Sequence, residues 1–167
     1  MGSYLFKSVN APWRGRRERI RRGGLRMRKG GKLSSKLNFE LLTRITELIK
    51  EMDVYVEAVI VEGAHDEITL RTLGFKRPII KYAALKVNEA ELVTNIADKY
   101  ADRVIAVLTD FDSNGEATCK RLTAKLQSLG VKVDSFYRRR LKDLLRPIGI
   151  NAIESIYSLK RRCYKQL

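Results

Sequence analysis

Short apolar runs recur along the middle of this chain at a regular interval, each separated from the next by a stretch with helical spacing. The runs are Ala58–Val61 (AVIV), Pro78–Tyr82 (PIIKY), Val104–Leu108 (VIAVL) and Val131–Val133 (VKV). Helical patterns cover Asp66–Leu73, Asn88–Tyr100 and Gly115–Leu129, and Gly74 and Gly130 fall where helix C-terminal glycines belong. Strands that alternate with helices in this way predict βαβ units and a parallel sheet buried on both faces. Its crossovers should be right-handed. Ahead of the first run, Leu37, Leu41, Ile45, Leu48 and Met52 have the spacing of a helix with one apolar face, and Asn38 is a candidate cap for its start. Two further helices, Phe136–Leu145 and Asn151–Cys163, are expected on either side of Pro147 and Gly149.

The charge is concentrated at one end. Residues 1–36 hold twelve Lys/Arg against a single acid, Glu18, a net of +11 out of +15 for the whole chain. The stretch from Trp13 to Lys36 is punctuated by glycine and has no clean period of 2 or 3.6, so alone in water it lacks the apolar surface to fold. Such arms follow phosphate backbones, because each Lys or Arg that meets a phosphate releases a condensed counterion. Arg14, Arg16, Arg17, Arg19, Arg21, Arg22, Arg26, Arg28 and Lys29 are the candidate contacts. Residues 1–36 are therefore read as a basic arm that binds nucleic acid, and residues 37–167 as the folded domain with its C-terminal helices. A transit peptide would also be rich in arginine, but usually carries more serine and an amphipathic helix. Cys119 and Cys163 have no histidine partners at zinc spacing, which argues for two reduced thiols in a cytoplasmic protein. No apolar run reaches the length of a membrane-spanning helix.

Two of the expected strands end in carboxylates. The first runs into Glu62-Gly63-Ala64-His65-Asp66, the third into Asp110-Phe111-Asp112-Ser113-Asn114-Gly115-Glu116. Ligands of open parallel sheets bind outside the carboxyl ends of the strands, where the strand order reverses. With the order 2-1-3-4, Glu62, Asp110 and Asp112 converge there. Carboxylates crowded into one crevice repel one another unless a cation holds them, and a hard divalent ion, Mg²⁺ before Ca²⁺, suits oxygen ligands. The run DFDSNG also opens like an EF-hand loop, but its twelfth position is Arg121 instead of Glu, and a strand precedes it. A phosphatase that uses D-x-D as nucleophile would leave Glu62-Gly63 unexplained. A plain loop capping the next helix accounts for one Asp and not the pair.

The two motifs together resemble the Toprim domain found in topoisomerases, bacterial-type primases, OLD-family nucleases and ribosomal-RNA maturase ribonucleases. That family carries Glu-Gly after its first strand and D-x-D, often D-x-D-x-x-G-E, after its third. Glu62-Gly63 matches the former, while Asp110, Asp112, Gly115 and Glu116 match the latter; Asp66 fits the E-G-x-x-D form of the primase and maturase branches. The resemblance covers about Val59 to Arg140 and implies an α/β, Toprim-like (Rossmann-like) four-stranded parallel sheet flanked by helices, with a basic N-terminal extension. It implies Glu62 as general acid or base, with Asp110 and Asp112 holding Mg²⁺ (Mn²⁺ as a substitute). Glu62 and Asp66 are further candidate ligands, and Gly63 and Gly115 would allow close approach of metal or phosphate. One departure is the stretch Lys81–Leu85, which lacks the glycine that branches of the family often place after the second strand.

Arg138, Arg139 and Arg140, with Lys142 and Arg146, form a second basic cluster; Lys160, Arg161, Arg162 and Lys165 form a third. Trp13 and Tyr137 are candidate stacking platforms for bases. Two functions follow from the resemblance and the charge. One is a Mg²⁺-dependent nuclease acting on RNA in preference to DNA. The other is a non-catalytic RNA-binding module associated with ribosomal RNA or another ribonucleoprotein.

Overall fold

The computed structural model describes residues 35–83 and 88–164. Its elements are α1 (Ser35–Tyr55), β1 (Ala58–Val61), α2 (Ala64–Thr72), β2 (Ile79–Lys81), α3 (Glu89–Tyr100), β3 (Val104–Leu108), α4 (Ser113–Ser128), β4 (Lys132–Asp134), α5 (Phe136–Leu145) and α6 (Ser155–Tyr164). A single 3₁₀ turn, Arg146–Ile148, joins α5 to the segment before α6 and ends at Gly149, whose φ is +73°. The four strands are all parallel in the order β2-β1-β3-β4. This is the α/β architecture and strand order read from the sequence, with six helices around the sheet.

Each face of the sheet has its own core, because successive residues of a strand point to opposite sides. Ala58, Ile60, Ile105 and Val107 pack under α3 and α4 with Leu92, Ile96, Leu122 and Leu126. Val59, Val61, Ala106 and Leu108 pack on the other face with residues of α1, α2, α5 and α6, among them Ile45, Met52, Leu70, Leu141 and Ile156. Both central strands are almost wholly buried, which explains why they read as continuous apolar runs without alternation. The buried stripe of α1 is Leu42, Ile45, Leu48, Ile49 and Met52; Leu37 stays exposed. Asn38 lies inside this helix, which already includes Ser35, so it is not the cap expected of it. Gly74 and Gly130 do follow helices in the left-handed region, at φ +99° and +84°. Among the described residues no helix is long and apolar enough to cross a membrane.

Candidate metal and phosphate site

Register fixes the meeting of the two motifs. Val61 pairs with Leu108 at the ends of β1 and β3, so the residues that follow leave the sheet side by side. The Asp110 N–H donates to Glu62 Oε1 at 3.1 Å, joining the two strand ends directly. The backbone after β2 extends the same edge: Tyr82 N–H donates to the Val61 carbonyl at 2.8 Å and Ala83 N–H to the Glu62 carbonyl at 2.9 Å. The glycine-free stretch after β2 thus supports Glu62 through its main chain.

Four acidic side chains, Glu62, Asp66, Asp110 and Asp112, are each pinned by a backbone amide. Asp112 is the N-cap of α4 and accepts from the Gly115 N–H at 2.7 Å. Asp66 lies in the first turn of α2 and accepts from the Gly63 N–H at 2.9 Å, one half of a capping box. Asp110 caps nothing; its Oδ1 accepts from the Ile153 N–H at 3.1 Å, a residue that lies just ahead of α6. The Phe111 N–H, donating to the Asn151 carbonyl at 2.7 Å, fastens the same segment once more. Glu62, Asp110 and Asp112 each use one oxygen in these bonds, leaving the second outside them.

The carboxylates feel one another. Burial pushes the Asp110 carboxyl above the ordinary aspartate range, and the nearby charges of Asp66, Asp112 and Glu154 push the same way. Asp66 is raised by burial first, with Glu62 and Glu154 adding repulsion. Glu154, which the sequence reading did not single out, is therefore a member of the cluster. As the side chains lie, no group of three or more Asp, Glu, His or Cys among the described residues is drawn together closely enough to grip an ion. Asp66 and Asp112 are held to their own turns, Asp110 to the segment ahead of α6, and Glu62 to the end of β3. The donor set is all oxygen and anionic, and it gathers repelling charges that a cation would neutralise. It fits a hard divalent ion.

The glycines differ. A Cβ at Gly63 would meet nothing within 4 Å, and its φ of −147° suits any residue, so the protein itself does not require glycine there. A Cβ at Gly115 would lie 2.2 Å from the Asp110 carbonyl oxygen. The space that a side chain would need at Gly115 is thus taken by the protein's own main chain. Thr109, fully buried, donates its hydroxyl to the Gly115 carbonyl at 2.7 Å and locks that contact.

Arg138 corrects another expectation. Instead of facing phosphate it is 8% exposed, its guanidinium donating to the carbonyls of Thr109 and Asp110 and, at 2.9 Å, to Glu116 Oε1. It also lies 4.9 Å from the centre of the Phe111 ring. Lys142 shares Glu116 at 3.0 Å. Burial tends to raise the Glu116 carboxyl, but the two cations outweigh it and hold it low. Arg139 and Arg140 remain exposed, and Arg140 lies over the Phe136 ring. Tyr137 is buried, donates its hydroxyl to Glu51 at 3.3 Å, and is no platform for bases. Lys160 is bound to the Thr72 carbonyl. The arm residues from Arg14 to Lys29, together with Trp13 and Lys165, lie outside the described residues.

Beside the cluster, α2 and α6 enclose an open groove of about 450 Å³, with His65 and Ile68 on one wall and Glu154, Ser155, Tyr157 and Ser158 on the other. The exposed His65 Nδ1 lies 3.4 Å from Glu154 Oε2. Cys119 and Cys163 are both free thiols.

A parallel sheet in the order 2-1-3-4, with Glu-Gly leaving its first strand and D-x-D its third, defines a Toprim-type domain. A family model described as Toprim-like matches residues 59–145, and the chain belongs to that family. Membership implies a nucleic-acid-related function, and Toprim domains generally bind Mg²⁺ through acidic residues. The chain is also similar to proteins named UPF0292. One from Pyrococcus abyssi is 38% identical over 125 residues, covering 75% of this chain and 88% of the relative. One from Pyrococcus horikoshii is 37% identical over 119 residues, covering 71% and 86%. One from Methanosarcina barkeri is 29% identical over 122 residues, covering 70% and 80%. A solved structure of an Aquifex aeolicus protein shares the fold at 22% identity and a TM-score of 0.50, covering 70% of this chain and 95% of that one.

Proposed function

We propose that this protein is a Mg²⁺-dependent nuclease that cleaves or trims RNA. The observation that carries the reading is the direct bond between the two motifs, Asp110 N–H to Glu62 Oε1, at the carboxyl ends of adjacent central strands. Asp110 and Asp112 would hold the metal, with Glu62 and Asp66 as further ligands. When bound, the ion neutralises charge that grows on the phosphodiester oxygens and orients them. Glu62, partly buried and bonded through one oxygen, is the group to move a proton at the attacking or leaving oxygen. Gly63, which no contact within the protein requires, leaves room for a phosphate to come close to the start of α2. The positive charge of residues 1–36 would grip the backbone of the substrate, and Arg139 and Arg140 would extend that grip.

A second reading draws on the arm: a Toprim module that holds RNA, ribosomal RNA included, without cutting it. The net charge of +11 over residues 1–36 favours it, since arginine-glycine arms suit packing into folded RNA. The test is cleavage of structured RNA and of single- and double-stranded DNA with Mg²⁺ or Mn²⁺ against a chelator, with Glu62→Gln and Asp110→Asn beside the wild type. Metal-dependent products that both variants lose, at nearly unchanged affinity, support the nuclease. Tight binding with no product from any of the three proteins selects the gripping module.

A further inference from the structure

The groove between α2 and α6 is not used by the chemistry proposed above, yet it shares Glu154 with the carboxylate cluster. Asp66 follows His65 on one wall, and Glu154 follows Ile153, whose amide holds Asp110, on the other. We infer that this groove is a base-binding subsite, taking one nucleobase of a single-stranded nucleic acid whose adjoining phosphate lies at the carboxylate cluster. The inference rests on the nucleic-acid reading and adds to it where, and by what contacts, a base is held.

The lining favours a flat, neutral, polar-edged group. Ile68 on α2 and Tyr157 on α6 are large apolar side chains left 51% and 40% exposed, one from each wall. An aliphatic side chain opposite an aromatic ring makes a slot that suits a planar ring system, with stacking on the aromatic side. The polar groups are mixed: Glu154, one oxygen of which faces His65 Nδ1, offers a carboxylate to ring and exocyclic N–H donors, the His65 imidazole can meet an acceptor, and Ser155 and Ser158 offer hydroxyls that can donate or accept. A phosphate within the slot would be repelled by Glu154, whereas one at the carboxylate cluster would be held there through the divalent ion of the proposed function. Arg161 is exposed one helical turn beyond Tyr157, where a phosphate on the far side of the base could meet it. His65 and Ile68 lie within the residues that the family model matches and Tyr157, Ser158 and Arg161 outside them, so one wall belongs to the shared domain and the other to the segment that follows it.

The experiment is equilibrium binding of short fluorescent single-stranded oligoribonucleotides, with oligodeoxyribonucleotides as a parallel arm, to the full chain at several salt concentrations. The proteins are wild type, Tyr157→Ala, Tyr157→Phe, Ile68→Glu and Arg161→Ala. All three positions are exposed, and far-ultraviolet circular dichroism with a thermal melt checks each fold. Tyr157→Ala should weaken binding about tenfold or more, the value of one base–aromatic stack, and should leave the salt slope unchanged. Tyr157→Phe, which keeps the ring, should recover the loss, and Ile68→Glu should reproduce it. Arg161→Ala should instead lower the salt slope by about one. If wild type binds while Tyr157→Ala and Ile68→Glu bind equally well, the groove holds no base and the inference is overturned, with the nucleic-acid reading intact. If wild type binds neither RNA nor DNA, both fall together.

Discussion

Replacing Gly115 by alanine probes the joint on which the candidate site is built. The new methyl carbon would stand 2.2 Å from the Asp110 carbonyl oxygen, 2.6 Å from its carbon and 2.9 Å from its nitrogen. All three are shorter than the 3.0 Å below which real Cβ contacts essentially never fall. The obstacle is main chain and cannot swing aside as a flexible side chain would. Three hydrogen bonds hold the joint closed: Thr109 hydroxyl to the Gly115 carbonyl, Gly115 N–H to Asp112, and Arg138 to the Asp110 carbonyl. Overpacking costs about 1–3 kcal/mol, and loss or stretching of one or two of these bonds adds about 1 kcal/mol each. Alanine returns about 1 kcal/mol through its better helix propensity. The expected net loss is about 3 kcal/mol. Urea unfolding followed by circular dichroism would read it as a lower midpoint at unchanged slope. Gly63→Ala, with open space and an ordinary φ, should cost about 1 kcal/mol or less through poorer capping. Gly130→Ala, in open space but at φ +84°, should cost about 1–2 kcal/mol. If Gly115→Ala proved as stable as Gly63→Ala, the close packing of α4 on the end of β3 would be refuted.

Other expectations follow from the same contacts. Arg138→Met should destabilise by about 2–4 kcal/mol, because it strips buried carbonyls and Glu116 of their donor. Arg139→Ala and Arg140→Ala should change stability by no more than about 0.5 kcal/mol; equal costs at all three positions in a denaturant titration would refute the separation. Glu89 is bonded by Lys125, Tyr82 and Arg121, and its carboxyl is held down at about 2, Lys125 being the largest cause. A depressed acid stabilises the fold above its unfolded value of 4.5 and loses that contribution as pH falls towards about 2. Thermal melts of Glu89→Gln should thus lie below wild type at neutral pH and converge with it in strong acid; a gap that persists there would contradict the assignment. Deleting residues 1–36 should weaken nucleic-acid binding and flatten its salt dependence, and an unaltered slope would mean that other residues carry the phosphate contacts.

The strands were legible because both central ones are buried on two faces and so appear as unbroken apolar runs. Their order was legible because the carboxylate motifs had to meet. What stayed hidden has a common physical origin in the third dimension. Three consecutive arginines look alike in a sequence, but each step around a helix is about 100°. Arg138 falls on the inward side with Tyr137 and Leu141, while Arg139 and Arg140 point outward. Glu154 carried no motif; it joins the cluster only because the Ile153 amide seeks out an aspartate 43 positions earlier. Asn38 has the chemistry of a cap, but α1 already includes Ser35 and Lys36, so the residue lies within the helix.

The fastening of Asp110 by Ile153 and of Phe111 by Asn151 makes the site depend on the last quarter of the described chain as well as on the strands that carry its acids. The sheet's two central strands and both acidic motifs precede residue 117, whereas the residues that fasten Asp110 and Phe111 come more than thirty positions later. Asp110 acquires its second anchor, and Glu154 enters the cluster, only when the segment ahead of α6 has folded back across the strand ends. A chain cut before that segment would own every acid of the two motifs and lack the bond that holds the Asp110 side chain.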